Sequence, residues 1–108
     1  MEHLVGYILP TAVIGLCIPM VLAMVPPNAF YGFRTPRTLS SPRIWYAANR
    51  VSGWFLTVAS ALTICFNLAL WWIHPDWPEK RLVFWMANAM AVSVFLAVVA
   101  SFMYLRRL

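Results

Sequence analysis

The chain has 108 residues, of which 63% are hydrophobic and 10% charged, with a formal net charge of +5. Soluble domains average roughly a quarter charged residues, and a core of this size cannot hide so much apolar surface, so composition excludes an ordinary soluble protein. The positive balance is accounted for by membrane topology and phospholipid contact, which argues against nucleic acid as a partner.

Three blocks free of Asp, Glu, Lys and Arg run from Leu4 to Val25, Val51 to Ile73 and Leu82 to Leu105. Each is longer than the ~20 residues that cross a hydrocarbon core of ~30 Å. The predicted fold class is an all-α integral membrane protein with three transmembrane helices, spanning 4–25, 51–73 and 82–105, in a single membrane domain over 1–108. A basic, aromatic loop joins the first two. Met1, Glu2 and His3 form no basic leader and the block after them is too long for a cleaved signal, so the first span is expected to stay in the mature protein. Pro10, Gly15 and Pro19 predict a kink in it, and Pro26-Pro27 its end.

The segment from Pro26 to Gly53 alone combines turn residues, arginines and aromatics. Phe30, Tyr31 and Phe33 suit the interface, while Arg34 and Arg37 can reach lipid phosphates or an anionic ligand. Gly32 permits a turn, Thr35-Pro36 forces an extended step, and Ser41-Pro42 reads as a helix cap followed by proline at the first position. A helix unbroken from Pro42 to Ile73 would be roughly 48 Å long, so its first turns must project beyond the bilayer core. Trp45 shares a face with Asn49, and Arg43 with Arg50. The loop is expected to fold back so that Asn28, Tyr31, Arg34 and Thr35 meet Trp45, Asn49 and Arg50. The plainer alternative is a positively charged loop with aromatic anchors.

Small residues recur every four positions, at Thr11, Gly15 and Ala23, at Gly53, Thr57, Ala61, Cys65 and Ala69, and at Ala89, Ser93, Ala97 and Ser101. Such stripes serve packing within the bundle or a homo-oligomer interface. Asn67 and Asn88 lie inside the second and third spans at similar depth, so each is expected to bond another helix, and their depth leaves pairing with each other open. Cys17 and Cys65 give no disulfide framework. His3, His74, Asp76 and Glu79 match no standard ligand spacing and read as solvated loop residues, with Asp76 capping the third helix and Glu79 three positions on. No metal and no cofactor is expected.

Orientation follows from the arginines. Arg34, Arg37, Arg43 and Arg50 in the first loop share a side with Arg106 and Arg107, against only Lys80 and Arg81 in the second loop. The N-terminus is therefore expected outside and the C-terminus in the cytoplasm. Tyr7, Trp71, Trp72, Trp77 and Trp85 would form the outer aromatic belt, and Tyr31, Trp45 and Tyr104 the inner one. No nucleophile elbow, metalloprotease motif or nucleotide loop appears, and all three acids lie outside the spans, so no enzyme is expected.

The run N-A-F-Y-G-F-R-T-P-R-T from Asn28 to Thr38, followed by S-P-R-I-W-Y-A-A-N-R-V-S-G from Ser41 to Gly53, resembles the signature of the SdpI family of bacterial membrane immunity proteins. The resemblance implies a non-enzymatic plasma-membrane protein, related to one that protects the cell from a secreted membrane-active peptide and captures a transcriptional repressor. The implied partners are the lipid bilayer, a toxic peptide and a repressor. Its signature positions fall on Asn28, Tyr31, Gly32, Arg34, Thr35, Pro36, Trp45, Asn49, Arg50 and Gly53. Two other readings stay open: a small oligomeric transporter or channel component lined by intramembrane Asn and Pro, and a membrane protein that binds a lipid or isoprenoid phosphate.

Overall fold

Residues 2–28 and 31–108 are described by the computed structural model, so Met1, Ala29 and the interfacial Phe30 lie outside the described residues. Three helices, α1 (Val5–Val21), α2 (Pro42–Ile73) and α3 (Glu79–Leu105), are joined by irregular segments, with short 3-10 turns at Glu2–Leu4 and Thr38–Ser40. There is no strand among the described residues. By length and apolarity α2 and α3 can each cross a membrane, whereas α1 is apolar but only 17 residues long.

Helix α2 begins where its sequence says it should. The Ser41 hydroxyl accepts the Ile44 N–H at 3.2 Å, and Pro42, with no N–H to satisfy, takes the first turn. The other two boundaries differ from expectation. Helix α1 stops at Val21, short of Pro26-Pro27, because Ala23 turns left-handed (φ 58°). Met24 N–H then donates to the Pro19 carbonyl at 2.9 Å and Ala23 N–H to Met20 at 3.2 Å, a Schellman closure built on alanine instead of the usual glycine. Helix α3 starts at Glu79 with Pro78 as its cap residue, so Asp76 does not cap it. The Pro78 carbonyl accepts the N–H groups of Arg81 and Leu82.

Helix α2 is the centre of the bundle, with α1 and α3 packed against it. Its buried face follows Trp45, Asn49, Ser52, Gly53, Ser60, Thr63 and Asn67, a spacing near 3.5 residues that keeps one seam toward its neighbours. The four-residue stripe drifts round the helix instead, and Ala61, Cys65 and Ala69 end up exposed. Thr11 and Gly15 in α1, and Ala23 just past its end, are also exposed. Close approach falls at Gly6, outside the stripes, and at Gly53, the first member of the α2 stripe: a Cβ on Gly6 would sit 2.7 Å from Met86 Sδ, and one on Gly53 would meet Val21 Cγ2 at 2.9 Å and the Cys17 carbonyl at 3.2 Å. In α3 the stripe does pack, with Ala97 and Ser101 buried and Ser93 Oγ 2.7 Å from Thr63 Oγ1.

Asn67 and Asn88 do not pair. Pro10 lacks an N–H, which leaves the Gly6 carbonyl one turn earlier without its helical donor. Asn67 Nδ2 supplies the missing bond at 2.7 Å, and the Tyr7 hydroxyl donates to the Asn67 main-chain carbonyl at 3.2 Å. Asn88 is exposed and donates only to Phe84 in its own helix, at 2.7 Å.

The interhelical turn is more structured than solvated loop residues would be. His3 N–H donates to Glu79 Oε2 at 3.0 Å and His3 Nδ1 lies 2.7 Å from Glu79 Oε1, tying the start of the chain to the start of α3. His74 stacks on Trp77 with centroids 4.1 Å apart, and Arg81 lies over the same indole at 5.2 Å. Among the described residues no three His, Cys, Asp or Glu side chains converge as a metal site.

A clamped arginine hook as the candidate functional site

Between α1 and α2 the described residues 24–28 and 31–41 form a hook, held to the first turns of α2 by side chains reaching for main-chain atoms. Trp45 is fully buried and its indole N–H donates to the Val25 carbonyl at 2.8 Å, so it is a core anchor and not an interfacial one. Arg50 Nε donates to Val21 at 3.1 Å, covering a carbonyl left without a partner at the end of α1. Asn49 treats Phe33 as a strand neighbour would: its Oδ1 accepts the Phe33 N–H at 2.6 Å and its Nδ2 donates to the Phe33 carbonyl at 3.3 Å. A second Nδ2 bond, to Trp45 at 2.9 Å, fixes the amide.

This clamp explains the glycine beside it. Gly32 has φ +109°, and a Cβ there would lie 2.7 Å from Asn49 Oδ1 and 3.3 Å from the Trp45 ring. Both the backbone angle and the space exclude a side chain. The hook also braces itself. Asn28 Oδ1 accepts the Tyr31 N–H at 2.6 Å while its amide donates to the carbonyls of Pro26 and Tyr31. Thr35 and Thr38 cap each other reciprocally: Thr35 N–H reaches Thr38 Oγ1 at 2.7 Å and Thr38 N–H reaches Thr35 Oγ1 at 3.1 Å. Burial holds the Tyr31 phenol above its ordinary range, with the Cys17 thiol adding to the effect.

The ten sequence-nominated positions thus come together but divide by task. Trp45, Asn49, Gly53, Gly32, Asn28, Thr35 and the half-buried Tyr31, whose main chain Asn28 holds and whose ring packs against the core, build the hook and its seat. Arg34 and Pro36 are exposed on it, and Arg50 is exposed yet spent on α1. Sequence reasoning missed Thr38, fully buried at the heart of the bend, although the T-x-x-T spacing after Gly32 signals a reciprocal cap. Phe33, expected at the interface, instead turns its ring to Phe102 of α3, edge-on at 5.0 Å.

Where the hook, α1, α2 and α3 meet there is a cleft of about 380 Å³, bordered by Arg34 and Thr35 from the hook and by Ser52 and Ser101 from the helices. At the other end of the molecule, Glu79 is held below the ordinary carboxylate range, chiefly by the His3 main-chain N–H and further by its ring.

A family model described as the SdpI/YfhL protein family matches residues 24–105, a stretch that takes in the hook, α2 and α3. No curated protein and no solved structure matches the chain.

Proposed function

This chain belongs to the SdpI/YfhL protein family, and from that premise we propose that it is a non-enzymatic bacterial plasma-membrane protein of the immunity type, protecting the cell from a secreted membrane-active peptide. The observation that carries the reading is the hook. The signature side chains of Asn28, Thr35, Trp45, Asn49 and Arg50 hold one short segment and its ends in place, and what that segment presents is Arg34, beside a cleft, and Arg37.

The proposed topology has three spans, with α1 as the first. Its 17 residues and the turn before it reach close to the ~30 Å core, and the carbonyl that Pro10 frees is taken up by Asn67. The arginine distribution puts the hook and the C-terminus in the cytoplasm and the Asp76 turn outside. All three acids, Glu2, Asp76 and Glu79, belong to the opposite end from Arg34, which leaves the hook without a general base and supports a binding role over catalysis.

The test is survival. Cells expressing the chain are challenged with a panel of secreted amphipathic peptides, and the expected result is protection against at least one, lost in Arg34→Ala and Asn49→Ala at equal protein levels. Equal survival with and without the chain across the panel would overturn the reading.

A further inference from the structure

The cleft has a direction. Helices α1 and α3 run toward the hook and α2 runs away from it, so Ser52, Ser101 and Arg34 lie at the hook end while Val13, Leu16, Leu56 and Val98 lie deeper along the bundle. It is thus polar and cationic where a span meets its interface and apolar toward the bilayer centre. Its volume of about 380 Å³ falls in the range of small-molecule sites, ~300–1,000 Å³. A helix ~10 Å across would fill that space within about one turn, so a helical peptide does not enter. A single extended hydrocarbon chain does.

We infer that the cleft binds one aliphatic chain of an anionic amphiphile, with the carboxylate or phosphate of its head paired to Arg34. Guanidinium groups grip such oxyanions through parallel N–H donors. Phe33, held by Asn49, closes the top of the site against Phe102, so the same clamp that builds the hook shapes the binding site. Arg37 and Arg43, exposed at the same end, raise the local concentration of anionic lipid. This site goes beyond protection against a peptide and stands or falls separately from it.

The experiment is equilibrium binding to the full chain purified in a non-ionic detergent, with three probes of one chain length: tritiated palmitate, palmitoyl-lysophosphatidylglycerol and hexadecanol. Saturable binding of one equivalent of palmitate or of the lysolipid is expected, about tenfold or more tighter than hexadecanol. Preference for palmitate identifies a free fatty acid as the source, and preference for the lysolipid identifies a phospholipid. Arg34→Gln is expected to erase the advantage over hexadecanol. Val98→Trp, which fills the cleft, is expected to abolish binding of all three, whereas Leu68→Trp on the exposed face of α2 leaves it unchanged. Leu56→Trp fills the cleft from α2 and serves if Val98→Trp lowers the helical circular dichroism. Hexadecanol binding as tightly as the anionic probes, binding that never saturates, or full binding in a folded cleft-filling variant would overturn the inference.

Discussion

Asn49→Ala tests the clamp most sharply. The substitution removes two bonds to Phe33, at 2.6 and 3.3 Å, while the Trp45 carbonyl keeps its helical donor. The short bond contributes about 1 kcal/mol net, the long one about half that, and leaving the Phe33 N–H without a partner adds about 1 kcal/mol, at the low end because the residue is half-buried and water can reach it. The sum is about 2–3 kcal/mol, or about 30–150-fold in the equilibrium between clamped and open hook. Hydrogen exchange at the Phe33 amide reads this directly, since opening exposes that N–H without melting the helices. Exchange faster by about that factor is expected, with α3 amides unchanged. Gly32→Ala supplies the second side of a double-mutant cycle. Its Cβ clashes with Asn49 Oδ1 in the native chain but not in Asn49→Ala, so the two costs should fall short of additivity by about 1 kcal/mol. Phe33 exchange within about threefold of the native rate, or strict additivity, would refute the clamp.

Three further outcomes follow from the rest of the bundle. Ala23→Gly relieves a left-handed alanine worth about 1–2 kcal/mol at an entropic cost of about 0.5–1, so unfolding in a denaturing detergent titration should show a gain of about 0.5–1 kcal/mol. Asn67→Leu should cost about 1–2 kcal/mol in the same titration, and Pro10→Ala, which restores the Gly6 carbonyl's own helical donor, should cancel most of that loss. Glu79 has a folded pKa below its unfolded one, so its contribution is present above the ordinary carboxylate pKa and disappears as pH falls toward the lowered value. Thermal melts from neutral to acidic pH should lose stability across that window, and Glu79→Gln should flatten it.

What the sequence made legible was the arrangement carried by composition and short-range chemistry. The apolar blocks marked the helices, Ser41-Pro42 marked the start of α2, and the aromatic and polar residues on its first turns marked the surface onto which the hook folds. What it hid depended on distant partners. Alanine at position 23 gives no hint of a left-handed angle, so α1 seemed to extend to Pro26. Pro78 followed by Glu79 looked like the interior of a capped helix start, whereas the Glu79 carboxylate is occupied by His3. Drift around the helix is invisible in a list of small residues, so the list did not show that Gly53 packs on α1 while Ala61, Cys65 and Ala69 face outward. The role of Asn67 could have been found: Pro10 frees the Gly6 carbonyl, and an antiparallel neighbour brings Asn67 level with it.

The central claim is the placement of the hook, and site-directed labelling tests it directly. In a background with Cys17 and Cys65 replaced by alanine, single cysteines at Asp76→Cys, Pro36→Cys and Leu108→Cys are treated in intact cells with a membrane-impermeant maleimide. Labelling of the Asp76 position alone, with the other two reacting only after lysis, is the predicted result; labelling of the Pro36 and Leu108 positions in intact cells would contradict it.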